Sequence, residues 1–74
     1  MIKRGDLVRI KSLEDIVFVF ESMCVSAVGQ QNNVFNLLAI LHPKQPLVLS
    51  GITLNLSDEL IVNAQDIELV DSVF

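Results

Sequence analysis

The sequence predicts an all-β domain: a small, partly open barrel of about five strands, closed by pairing its first strand with its last. Three observations predict it. Short runs rich in Val, Ile, Leu and Phe recur with turn signals about every 8–12 residues, the spacing of sandwiches and barrels. The clearest runs alternate apolar and polar residues with the period of two that a half-buried strand requires. A basic opening segment, Lys3 to Ile10 (KRGDLVRI), is matched by an acidic closing one, Asp66 to Asp71 (DIELVD). Opposite charges on two strands favour their pairing.

The elements follow in order. A Gly5-Asp6 turn releases a strand with Val8 and Ile10 on one face and Leu7 and Arg9 on the other. Lys11 to Asp15 is a polar connector. Ile16 to Phe20 (IVFVF) is dense in β-branched and aromatic residues, which favours strand over helix. Ile16, Phe18 and Phe20 point one way along it, Val17 and Val19 the other. Flanking acids (Glu14, Asp15, Glu21) guard it against aggregation. Ser22 to Val28 (SMCVSAV) alternates loosely, with Met23, Val25 and Ala27 against Cys24, Ser26 and Val28, and reads as the second half of the same bent strand. Gly29 to Asn33 (GQQNN) is the clearest break.

Val34 to His42 (VFNLLAILH) also suits a helix through Leu37, Leu38 and Leu41, but the Asn residues before it and Pro43 after it favour a hairpin arm. Phe35, Leu37, Ala39 and Leu41 then share one face and Val34, Leu38 and Ile40 the other. A proline-punctuated loop, Pro43 to Pro46, leads to the strand Leu47 to Leu49, and Ser50-Gly51 marks a turn or bulge. Ile52 to Leu56 has the cleanest alternation, with Ile52, Leu54 and Leu56 expected inward and Thr53 and Asn55 outward. Ser57 to Leu60 fits a helical turn capped by Ser57, while Leu60-Ile61-Val62 fits a strand equally well. Asn63 to Asp66 has the length and chemistry of a single 3₁₀ turn before the last strand. Arg9 and Glu68 are expected on strands that pair antiparallel.

Seventy-four residues make one domain, spanning 1–74. A chain of this size buries only about 60–65% of the surface its unfolded form exposes. Yet 51% of its residues are apolar and its mean hydropathy is positive, with four Phe and no Trp or Tyr. The supply of aliphatic side chains exceeds what the interior can take. A partner or a second copy is therefore expected over the excess, on the outward faces that carry Val17, Val19, Val34, Leu38 and Ile40. The expected partner is another copy or a larger protein complex. A membrane span would need about 20 apolar residues in a row, against five in Ile16 to Phe20 or Leu37 to Leu41. No hydrophobic segment follows Lys3 and Arg4, so no signal peptide is expected. A single cysteine allows no internal disulfide, and the expected compartment is the reducing cytoplasm.

Chemical constellations are sparse. Cys24 and His42 alone cannot complete a zinc site, and no motif supports them as a nucleophilic pair. Cys24 reads as a small core or interface residue and His42 as a loop residue beside Pro43. Gly5, Gly29 and Gly51 are isolated, so no phosphate loop exists. The acids Asp58, Glu59, Asp66, Glu68 and Asp71 read as a solvated face, because catalytic carboxylates need a dry pocket to perturb them. Asn55-Leu56-Ser57 matches a glycosylation sequon, which has no consequence without secretion. No catalytic residue, cofactor or metal is expected, and the chain does not read as an enzyme. The net charge is −4, but residues 1–12 hold Lys3, Arg4, Arg9 and Lys11 against Asp6, net +3 (4 − 1), and the rest −7 (1 − 8). A nucleic-acid-binding barrel using Arg4, Arg9 and Lys11 is the alternative function. An acidic chain without Tyr or Trp for base stacking makes nucleic acid the lesser expectation.

The pair KRGDLVRI and DIELVD resembles the two ends of a family of small SH3-like barrels that are accessory subunits of photosynthetic complexes. These include photosystem I reaction-centre subunit IV, the ferredoxin-binding small subunit of the cyanobacterial NAD(P)H dehydrogenase-like complex, and the variable chain of ferredoxin–thioredoxin reductase. Arg4, Gly5, Val8, Arg9 and Ile10 match that family's first strand, and Asp66, Glu68, Leu69 and Val70 approximate its last. The match covers only the ends, under a quarter of the chain. A Gly-Asp-x-Val first strand also opens barrels of the KOW type found in ribosomal and transcription proteins. The resemblance implies an SH3-like barrel and a non-catalytic, protein-docking accessory role.

Overall fold

The structure, a computed structural model, describes residues 2–13, 15–28 and 34–70, without the side chains of residues 27, 28, 34 and 35. Its elements are β1 (Leu7–Ile10), β2 (Phe18–Val28), β3 (Val34–Pro43), β4 (Leu47–Leu49), β5 (Ile52–Leu54), β6 (Leu60–Asn63), a 3₁₀ turn (Ala64–Asp66) and β7 (Ile67–Leu69). Five strands form one antiparallel sheet in the order β6-β3-β2-β1-β7, and β4 and β5 make a separate hairpin. The sheet's two edge strands, β6 and β7, are joined only by the 3₁₀ turn. A flat five-stranded sheet would separate its edges by about 19 Å, whereas a 3₁₀ step from residue 63 to 67 advances about 8 Å. The sheet must therefore curl until its edges approach. That curl makes an SH3-like, partly open barrel.

Its opening is held by local chemistry. Gly5 has φ +91°, a backbone state that L side chains rarely adopt, and it lets the Asp6 amide reach the Lys3 carbonyl (2.9 Å). The Asp6 carboxylate accepts in turn from the Lys3 amide (2.8 Å). Gly5 donates to the Phe20 carbonyl and the Phe20 amide to Asp6, so the turn is already stitched to β2 before β1 begins. β1 then pairs with β2 through Leu7↔Val19 and Val8↔Phe18, and with β7 through Val8↔Leu69, Arg9↔Glu68 and Ile10↔Ile67. The expected pairing of Arg9 with Glu68 is present: Arg9 Nε donates to Glu68 Oε2 at 2.8 Å.

The core consists of Val8, Ile10, Phe18, Phe20, Ala39, Leu41 and Ile67, with Ile2, Leu13, Ile16, Leu47, Leu49, Leu60 and Val62 packed around it. Among the described residues no polar side chain is buried. Every strand of the large sheet thus contributes the alternate residues that its pleat turns inward.

β2 and β3 are the long elements. They stay paired from Phe18↔Pro43 to Val28↔Val34, with one irregularity: Phe20 faces Leu41, yet Ser22 faces Ile40. Glu21 is therefore an extra residue, a β-bulge, and inward positions on β2 pass from even numbers (Phe18, Phe20) to odd ones (Met23, Val25). The two halves expected of one bent strand are indeed one strand.

Three expectations are corrected. His42 is not in a loop; it lies within β3, half-buried opposite Val19. Ile52 and Leu56, expected inward, are exposed (63% and 54%), because β5 pairs only with β4 and its hairpin reaches the core through Leu47 and Leu49. Ser57 caps no helix: Asp58 donates its amide to the Asn55 carbonyl in a tight turn, and β6 follows as strand. Ser50 (φ 49°) and Gly51 (φ 79°) form the left-handed pair of a two-residue hairpin loop between Leu49 and Ile52. The 3₁₀ turn stands where the sequence places it.

Candidate functional site

Beyond the body of the barrel the sheet thins to two strands. β1 covers β2 only as far as Val19, with Gly5 and Asp6 extending the ladder to Phe20. On the other side β6 covers β3 from Leu38 to Leu41 and no further out. What remains is a projecting ribbon, Ser22–Val28 against Val34–Ile40, whose β2 edge is unpaired throughout and whose β3 edge is unpaired from Val34 to Leu37 among the described residues. The radius of gyration is 13.4 Å and the extents are 45 × 32 × 21 Å. A compact chain of this length would have a radius near 11 Å.

The side chains of this ribbon are unusual for an exposed element. Between Glu21 and His42 no residue carries a charge. On the face that continues the core, Met23 (41%), Val25 (63%) and Leu37 (51%) are exposed, with Val25 directly opposite Leu37. They follow the line of Phe20, Leu41 and Ala39 outward, from full burial to exposure. Beneath them lies an open concavity of ≈ 510 Å³, lined by Met23, Asn36, Leu37, Asn63, Ala64 and Gln65. None of these groups is ionisable, so the concavity can take apolar and amide surface but offers no acid–base group. An isolated two-stranded hairpin is marginal in water. Exposed edges are ordinarily blunted by charge, proline or bulges, and the bulge at Glu21 precedes the ribbon instead of interrupting it.

The expected partner-binding residues sit elsewhere on these strands. Val17 and Val19 lie half-buried on the outer surface, Val17 beside a smaller concavity of ≈ 240 Å³ shared with Asp15, Ile16, Lys44, Gln45 and Leu47. Leu38 and Ile40 are half-buried on the outer face of β3, where Ile40 faces Ile61, itself exposed. Val34 pairs with Val28 at the end of the ribbon, and its side chain lies outside the described residues. The structure thus brings Leu38 and Ile40 together and leaves Val17 and Val19 near the other end. The most exposed aliphatic residues of the ribbon, Met23, Val25 and Leu37, are on the opposite face from Leu38 and Ile40. The signal for them was in the sequence. Omitting Glu21 makes the alternation continuous from Phe18 to Val25, with Met23 and Val25 on the core side.

Polar groups collect at the bulge. Glu21 Oε2 meets the Arg4 guanidinium at 3.0 Å, and Arg4 Nε donates to the Glu21 carbonyl at 3.3 Å. Glu21 Oε1 stands 3.6 Å from His42 Nε2, an ion pair only when the imidazole carries both protons. His42 Nδ1 donates to the Asp58 carbonyl at 3.1 Å. This ties the entry of β1, the bulge, β3 and the turn before β6 into one polar cluster. It also engages Arg4, as Glu68 engages Arg9, so two of the three residues of the nucleic-acid alternative face carboxylates; Lys11 is exposed. Cys24 is a half-buried free thiol on the ribbon's outer face. Among the described residues no group of three or more His, Cys, Asp or Glu is placed to hold a metal, and no helix is long and apolar enough to cross a membrane. No family model, curated protein or solved structure matches this chain.

Proposed function

We propose that this chain is a non-catalytic protein–protein interaction module, an accessory subunit or adaptor that docks on a larger complex in the cytoplasm. The observation that carries the reading is the ribbon: an uncharged extension whose core-side face leaves Met23, Val25 and Leu37 exposed. Covering a few hundred Å² of such surface yields several kcal/mol at about 25 cal/mol per Å², before association costs are subtracted. The resemblance of Arg4–Ile10 and Asp66–Val70 to the ends of photosynthetic accessory subunits supports the same class of role. The outer-face residues Val17, Val19, Leu38 and Ile40 offer a second, flatter contact area to a larger assembly.

The test uses the full chain, immobilised and exposed to extract of its native host, beside a Leu37→Lys variant. Leu37 is half exposed, so the substitution leaves the core intact. A protein held in stoichiometric amount by the wild type and released by Leu37→Lys, and then rebound as a purified component, is the expected result. Retention of the same proteins by both forms, or of none, would overturn the reading.

A further inference from the structure

We infer that a second copy of this chain adds its own β2 to the free edge of β2, antiparallel and about a two-fold axis, so that the two sheets run on as one. This rests on the reading of the chain as an interaction module and names its partner. Among the described residues, Ser22–Val28 pairs with β3 on one side and with nothing on the other, leaving about 24 Å of open edge at 3.4 Å per residue. Among the described residues no other edge of the large sheet is as long. The free edge of β3 spans only Val34–Leu37, and the sheet's outer strands β6 and β7 are short and carry or adjoin Glu59 and Glu68.

Symmetry then selects the pairing. A two-fold axis that sets two strands antiparallel must stand perpendicular to the sheet, so each strand keeps the same face up in both copies. Residues directly opposite one another must then have numbers that sum to an even value. Cys24 faces Cys24 of the second copy with Met23 against Val25, or Val25 faces Val25 with Met23 against Ala27. In either register the core-side aliphatic positions of both copies fall on one face and extend each other's apolar strip. Odd sums, which would set Val25 against the outer-face Cys24, are forbidden.

Charge points to the same partner. The chain carries a net −4, all of it outside residues 22–41. Along the ribbon, then, two copies meet no like-charge repulsion, while the net charge that each carries lies outside it. Antiparallel pairing there also sends the two charged bodies to opposite ends of the seam. Backbone hydrogen bonds supply the attraction, as in other cases of strand addition to a sheet edge. A seam this narrow belongs to the smaller class of interfaces, so the dimer forms at micromolar concentration and not below it.

Sedimentation of the purified full chain across the micromolar range tests this, with hydrogen exchange at matched concentrations. The wild type should pass from monomer to dimer, with amides of residues 22–28 gaining protection as it does. Val25→Lys sets like charges near the axis at a position already 63% exposed, and should weaken association by on the order of tenfold or more while the monomer stays folded. Ile52→Lys, on the remote β5, should leave it unchanged. A monomer at every concentration, or a dimer indifferent to Val25→Lys, overturns the pairing. So does a monomer whose residues 22–28 are protected at all concentrations, because another segment of the same chain, such as residues 71–74, then occupies the edge. None of these outcomes touches the interaction-module reading, which the Leu37→Lys capture decides separately.

Discussion

Phe18 is the side chain the interior can least spare. It is fully buried, pairs with Val8 on one side and Pro43 on the other, and lies in the hydrophobic core. Truncating a buried Phe to Ala costs about 3–5 kcal/mol, cavity included. A domain of this length holds about 4–11 kcal/mol in all, at 0.05–0.15 kcal/mol per residue. Phe18→Ala should therefore remove about a quarter or more of the stability, read as a matching fall in the urea midpoint with the slope unchanged. The residue was legible from sequence in part: IVFVF reads as strand, and Phe18 shares a face with Ile16 and Phe20, the bulkier of its two sides. Glu21 was not. A charged residue between two apolar runs looks like a boundary, and only the register Phe20↔Leu41, Ser22↔Ile40 shows that it is an insertion within one strand. What it does there, holding Arg4 and approaching His42, depends on residues far away in the chain.

At the scale of elements, the barrel is closed by β1 and β7, and this was the most legible part of the fold. Arg9 and Glu68 stand opposite each other and in contact, as the basic opening and acidic closing segments imply. Both side chains are about 40% exposed, so solvent screens the pair and its worth is modest. Arg9→Glu should destabilise the fold by about 0.5–1 kcal/mol by setting two carboxylates opposite, and adding Glu68→Arg should restore most of it. Denaturation of the two single variants and the double variant checks this, and the difference should shrink at high salt. A double variant no more stable than Arg9→Glu alone would mean that the ion pair does not guide the closure. The β4–β5 hairpin was less legible. Ile52-Thr53-Leu54-Asn55-Leu56 alternates as cleanly as any strand here, but alternation states only that two faces differ, not that a core lies against one of them. That is set by where the hairpin sits, which is a property of the whole chain. His42 was misplaced for a related reason: Pro43 reads as a strand end, yet it is the last residue of β3, buried against Phe18.

For the molecule as a whole, composition told of surplus apolar surface but not of where it would lie. The excess of aliphatic residues over burial capacity is real: eight large hydrophobic side chains are exposed among the described residues. They concentrate on a projecting ribbon and a stand-off hairpin rather than on the outer wall of a closed barrel. The alternative of a nucleic-acid-binding barrel is tested at this scale too, since it concerns the field of the entire surface. With net charge −4 and with Arg4 and Arg9 each beside a carboxylate, no binding to RNA or DNA is expected at low ionic strength. Electrophoretic mobility shift with mixed-sequence probes measures it. Affinity that falls steeply with salt and is weakened by Arg4→Glu and Arg9→Glu would favour that alternative instead.

The long pairing of β2 with β3 has a consequence in time. Hairpins close in about 1–10 μs, and β2 and β3 are neighbours in the chain. The strand that completes the barrel, β7, follows all the others. Ribosomes add roughly 5–20 residues per second, so the stretch from Pro43 to Leu69 takes on the order of seconds to emerge. Throughout that interval the ribbon can already exist as a hairpin while Val8 and Ile10 still lack their cover from β7. Under the strand pairing proposed above, two nascent chains on one messenger would present matching ribbons to each other before either barrel had closed, and assembly would precede the completion of folding.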